Sequence, residues 1–122
     1  MSKGEMMAGI LISSLRAHGA LLSGASSNIA NMNTQDYRSI RTTISEGLTG
    51  SVQAVTARTK NPGVSSEDGH CTSNVELPRE ICDLIRAQRG FEAVLCAIGT
   101  REEMLNDLME EVYNSIKLGY TL

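Results

Sequence analysis

Apolar residues recur at helical spacing in two long stretches, one near each end of the chain. In the first, Ala8, Leu11, Leu15, His18, Leu22, Ala25, Ile29 and Met32 step alternately by three and four residues. That is the seam of a heptad-patterned helix, and only His18 in it is not apolar. The spacing predicts an N-terminal helix over 4–33. Ser13, Ser14, Gly19, Ser23, Gly24, Ser26 and Ser27 lower its intrinsic helicity, so it needs a packing partner. Asn28, Asn31, Asn33 and Thr34 mark its end, because Asn tolerates left-handed backbone and short polar side chains compete for backbone hydrogen bonds.

The second seam runs Leu77, Ile81, Leu84, Gln88, Phe91, Leu95, Ile98, Glu102, Leu105, Met109, Val112. It predicts a C-terminal helix over 76–116, about 60 Å long at 1.5 Å per residue. Ile85, Val94, Met104 and Leu108 add a second apolar flank, and Arg79, Asp83, Arg86, Glu92, Arg101 and Asp107 form a charged outer side. Arg79 and Asp83 can pair at i, i+4. Ser73 with Glu76 reads as a capping box, and Pro78 fits the first turn. Gln88 and Glu102 interrupt the seam; they would either fix register or meet a subunit, or simply face solvent where the partner helix ends. Gly90 and Gly99 weaken the helix. Glu102, Glu103, Asp107, Glu110 and Glu111 read as a solvated helix face or a docking face for a basic partner, and they oppose the helix dipole, which predicts fraying after about Val112 unless a neighbour covers it.

Between the seams, residues 37–72 differ. Arg41–Ile44 and Ser51–Arg58 are rich in β-branched residues around the turn-formers Glu46–Gly50, which predicts a small β-hairpin. Asn61-Pro62-Gly63 signals a turn, and a polar loop follows. A lone hairpin is marginal, so it should lean on a helix or a neighbour. The expected architecture is one mainly α domain over 1–122: two long antiparallel helices in a coiled-coil-like hairpin, with the β-hairpin and loop between them.

Composition narrows the function. With no Trp and one Phe in 122 residues, large core anchors are scarce, which suits an elongated helical object better than a compact globule. A net charge of −3 argues against nucleic-acid binding. No apolar run approaches a membrane span of about 20 residues, and no cleavable signal follows Met6–Ile12. The cysteines, Cys71, Cys82 and Cys96, match no zinc or redox spacing. They read as small buried hydrophobes. His18 reads as a seam histidine that could pair with Gln88 or Glu102. His70-Cys71 has no second pair to complete a metal site. No catalytic constellation, cofactor motif or metal site emerges.

Two motifs then bracket the chain. The first is Ser14-Leu15, followed by Ser27, Asn28, Ile29, Ala30, Asn31, Asn33, Thr34 and Tyr37. The second is Asn74, Val75, Leu77 and Glu80, then Ala87-Gln88-Arg89, Phe91-Glu92-Ala93, and Thr100, Glu103, Met104, Leu105. In this order they resemble the terminal signatures of bacterial flagellar rod and hook axial proteins, most closely a small proximal-rod member with a short middle. Asp36 stands where that family commonly has Gly.

The resemblance implies terminal helices that pack together and stack into the rod. It also implies partners among other rod and hook axial proteins and copies of the chain itself. Export would run through the type III apparatus without a cleaved signal peptide, to a periplasm-spanning basal body. The residues expected to carry helix pairing and assembly are Leu11, Leu15, Leu22 and Ile29 of the first seam, Leu77, Ile81, Leu84, Gln88, Phe91, Leu95, Ile98 and Leu105 of the second, and Asn28, Asn31, Asn33, Tyr37, Arg89 and Met104. The competing expectation is a non-polymerising helical adaptor for one export or assembly partner. An enzyme built on Cys71 and His70 would need a perturbed thiol.

Overall fold

The computed structural model describes residues 2–120, the side chain of Tyr120 excepted, so the two ends of the domain expected over 1–122 lie outside the described residues. Helix α1 spans Lys3–Ala30, strands β1 and β2 span Ile40–Glu46 and Val52–Arg58, and helix α2 spans Leu77–Tyr120. The chain is mainly helical, with a two-stranded antiparallel sheet between the helices.

Each boundary has a local cause. Ser2 caps α1: its hydroxyl accepts from Glu5 N at 3.2 Å, and Glu5 Oε2 accepts from Ser2 N at 3.0 Å. This reciprocal box satisfies two otherwise orphaned donors, and it starts the helix just before the expected position. Asn31 ends α1, its Nδ2 donating to Ser27 O at 2.9 Å. The expected capping box at Ser73 and Glu76 does not open α2. Ser73 Oγ accepts from Val75 N, and the first helical bonds, from Arg79 N and Glu80 N, end on Glu76 O. Pro78 sits in the first turn, where its missing N–H has no helical partner to lose. Helix α2 runs past Val112 to Tyr120.

The hairpin forms where β-branched residues predicted it, in register from Ile40 opposite Arg58 to Glu46 opposite Val52. Thr49 and Gly50 turn the chain with φ of 61° and 76°. The sheet leans on α1. Ser13 Oγ accepts from Val52 N at 3.0 Å, and Gly24 leaves room for the Thr42 side chain, which a Cβ there would meet at 2.7 Å.

The helices pass each other in opposite directions. Asn28 bonds Glu80, His18 packs on Gly90, and Arg101 Nη2 donates to Gly4 O at 2.8 Å. The buried apolar residues are small or few: Ala17, Leu21, Ala25 and Ala87. The largest fully buried side chains are polar, namely Glu80, Asn28 and Ser39. Beyond Arg101 the pairing ends, and every residue from 102 to 119 is exposed.

The contact stripe on α2 is turned from the expected seam. Leu84, Phe91 and Ile98 face inward in part, but their buried companions are Glu80 and Ala87. Ile81, Gln88 and Leu95 are exposed, Ile81 at 45% and Leu95 at 47%. On α1, Leu21 is buried and Leu22 is exposed. The deep contact uses small residues because the hairpin also claims α1, and bulky side chains remain at the edge. Cys82 and Cys96 are exposed on α2 and Cys71 is part-buried, so they are not buried hydrophobes. By length and composition α1 could cross a membrane, contrary to the reading of its apolar run.

Candidate functional site

The two motifs meet in one polar knot. Asn28, on the last turn of α1, is 0% exposed. Its Nδ2 donates to Ile40 O at 2.8 Å and to Glu80 Oε2 at 3.0 Å. Its Oδ1 accepts from Ile40 N at 2.7 Å and from Tyr37 OH at 3.1 Å. The amide thus acts as a missing strand for Ile40, pairing both backbone groups. It uses its full hydrogen-bonding capacity in doing so.

Glu80 completes the knot from the first turn of α2. It is 1% exposed, and its Oε1 accepts from Arg41 Nη1 of β1 at 2.9 Å. A buried carboxylate needs both charge and hydrogen bonds to offset desolvation. Glu80 has a guanidinium on one oxygen and an amide on the other. Among the described residues no buried polar side-chain atom lacks a partner.

Two further clamps hold the loop between β2 and α2. Asn74 Oδ1 accepts from Ser39 N at 2.6 Å, while its Nδ2 donates to Thr59 Oγ1 and Asn61 O. Asp36 has φ of 57°, the left-handed region. Asn and Asp enter that region more readily than most residues other than Gly. Its Oδ1 accepts from Cys71 N at 2.7 Å, its own N–H donates to Cys71 O at 2.8 Å, and His70 Nδ1 lies 2.8 Å from Oδ2. The Cys71 amide first, and His70 second, hold the Asp36 carboxyl below its ordinary value.

The remaining expected residues fall into three groups. Asn31 caps α1, and Tyr37 stacks under Arg58, 5.4 Å from ring centroid to guanidinium, while bonding Asn28. Leu11, Leu15, Ile29, Leu77, Leu84, Phe91 and Ile98 are part-buried along the helices. Leu22, Asn33, Ile81, Gln88, Arg89, Leu95, Met104 and Leu105 are exposed. Leu22, Leu84, Gln88 and Phe91 line an outer apolar groove between the helices.

His18 does not pair with Gln88 or Glu102. Its Nδ1 is 2.8 Å from Ser14 O, and its ring lies over Gly90 where a Cβ would collide. Gly90 is therefore needed for close approach. Gln88 Nε2 instead donates to Glu92 at 3.0 Å. Asp83 pairs with Arg86 at 3.1 Å rather than with Arg79. Among the described residues no group of three or more His, Cys, Asp or Glu is placed to hold a metal ion.

Sequence reasoning left Glu80, Asn74, Asp36, Arg41 and Ser39 out of the expected pairing set. Asn74 and Glu80 stood in the second motif and Asp36 at its departure from the first; Arg41 and Ser39 carried no signal.

Residues 72–111 match the family model for the flagellar basal body rod FlgEFG protein C-terminal region. This match supports the flagellar basal-body rod/hook family. It covers about a third of the chain and contains Asn74, Glu80, the contact stripe of α2 and the start of its bare end. The family is a structural component of the flagellum and not an enzyme family. No curated protein matches the chain.

Proposed function

We propose that this chain is a structural subunit of the bacterial flagellar basal-body rod, of the small proximal-rod type, which self-assembles through its terminal helices. The observation that carries this reading is the knot. Asn28 from the first motif and Glu80 from the second, 52 residues apart in sequence, bond at 3.0 Å in a fully buried site. The bond supports a module whose two termini act as one piece, and the C-terminal family match supports placing that piece in the flagellar axis.

The mechanism is association, not chemistry. The knot fixes the register of the helix pair, and the exposed edge Leu22, Ile81, Leu95 and Leu105 is left for neighbours in coiled-coil fashion. Covering it would contribute roughly 25 cal/mol per Å² of apolar area. The partners are other rod and hook axial proteins and copies of the chain. Export runs through the type III apparatus without a cleaved signal, and the destination is the periplasm-spanning basal body. No nucleic acid, cofactor or membrane insertion enters the mechanism. Asn28 and Ser13 of α1 bond to the strands at Ile40 and Val52, partners that burying the helix in lipid would remove.

Deleting the gene and imaging basal bodies by electron microscopy tests this reading: rods should be missing or truncated, and intact rods would overturn it. The adaptor reading draws on the bare end of α2, an apolar face that a single partner could cover. Sedimentation separates the two, since open-ended growth belongs to a rod subunit and a discrete heterodimer to an adaptor.

A further inference from the structure

We infer that copies of this chain dock head to tail, the bare end of α2 from one copy lying against an arginine-lined groove at the opposite end of the next. The inference rests on the assembly reading and names its contact surfaces.

The first surface is residues 102–120, about 28 Å of helix at 1.5 Å per residue. Leu105, Leu108, Met109, Val112 and Ile116 recur at helical spacing on one stripe, all exposed, Leu108 at 56%. Such a stripe on a helix signals a face meant for burial. Around it stand Glu102, Glu103, Asp107, Glu110 and Glu111, with Lys117 as the one base. Five acids and one lysine make this end net −4, against −3 for the whole chain, so the remainder is net positive.

The second surface lies at the other end of the helix pair. Between β1 and the first turns of α2 is a groove lined by Arg79, Arg86, Thr42, Thr43, Ile44 and the exposed Cys82, with Arg41 at its edge already held by Glu80 at 2.9 Å. Its one lining acid, Asp83, is already tied to Arg86 at 3.1 Å. Arg79 has no side-chain partner among the described residues.

Charge selects the mode of pairing. Two bare ends laid against each other would oppose five acids to five, and like charges brought together cost several kcal/mol. A bare end laid in the groove brings its acids to Arg79 and Arg86, and its apolar stripe to Ile44 and Cys82. The contact joins different surfaces of identical chains, so it does not close on itself and grows open-ended.

The test is a charge swap read by sedimentation. One variant carries Glu110→Lys and Glu111→Lys, the other Arg79→Glu and Arg86→Glu. Each alone is expected to associate at least about tenfold more weakly than the natural chain. Mixed in equal amounts they should regain growth, because each variant's end then meets the other's groove with opposite charge. The regained growth also proves both variants folded. Association of the natural chain should weaken as salt rises from about 0.05 to about 0.5 M.

If the natural chain grows and both variants grow equally well alone, or growth strengthens with salt, the contact is wrong and the assembly reading stands. If variants with unchanged circular dichroism stay monomeric when mixed, the contact is likewise wrong. If the natural chain never grows at any concentration, the self-assembly reading falls with it.

Discussion

The two ends of α2 do opposite things with similar materials. At Glu80 and Ala87 the helix buries a carboxylate and a methyl group almost completely, within one chain. From Glu102 to Gly119 it buries nothing, although Leu105, Leu108, Met109 and Val112 continue the apolar pattern. The first end is held by directional bonds with matched partners. The second offers non-directional apolar area and net charge. Directional bonds fix register, whereas apolar area accepts whatever covers it. The difference separates the half of α2 that is held within the chain from the half left exposed.

Glu80→Ala should break this contrast most severely. It leaves the quarter-exposed Arg41 guanidinium unpaired and strands the buried Asn28 Nδ2, at a cost of about 3 kcal/mol or slightly more. Urea unfolding should show it, and a loss under about 1 kcal/mol would mean the knot is not what holds the end together. Asn28→Ala should follow at about 3 kcal/mol, since Ile40 N and O and the Glu80 carboxylate all lose a partner.

Gly90→Ala should cost about 1–3 kcal/mol by driving a methyl into the His18 ring. Adding His18→Ala should recover part of that loss, and strict additivity of the two changes would sink the packing argument. By contrast, Leu108→Ala with Met109→Ala should change the unfolding free energy of the dilute chain by less than about 0.5 kcal/mol. The same pair should weaken association clearly in sedimentation.

A smaller effect concerns the Asp36 clamp. Its carboxyl titrates lower in the folded chain than its ordinary value of 3.8. The clamp is therefore fully present above that value and is lost as the pH falls through the lowered one. Amide exchange at Cys71 should accelerate over that acid range, and Asp36→Asn should remove the pH dependence. Unchanged exchange in the natural chain would show that the carboxylate does not hold the loop.

Much of the scaffold was legible in the chain because it follows from local chemistry. The three–four spacing of Leu11, Leu15, Leu84 and Phe91 marked both helices, and the β-branched runs at Arg41–Ile44 and Ser51–Arg58 marked the hairpin. The rotation of the contact stripe was not legible. A heptad count cannot distinguish the row Ile81, Gln88, Leu95 from the row Glu80, Ala87, Val94, because the bonds of Asn28 and Arg41 to Glu80 turn the second row inward. The knot was half legible: Asn28 stood in a motif, but a carboxylate in the first turn of α2 looks like ordinary dipole chemistry. Only its approach to Arg41, 39 residues away in sequence, shows it to be interior.

Hydrogen exchange along α2, followed across a dilution series, tests the central division most directly. Amides near Glu80 and Ala87 should stay protected at every concentration, while those from Glu102 onward gain protection only as chains associate. Equal protection of the bare end in the dilute monomer, or loss of protection near Glu80 on dilution, would contradict it.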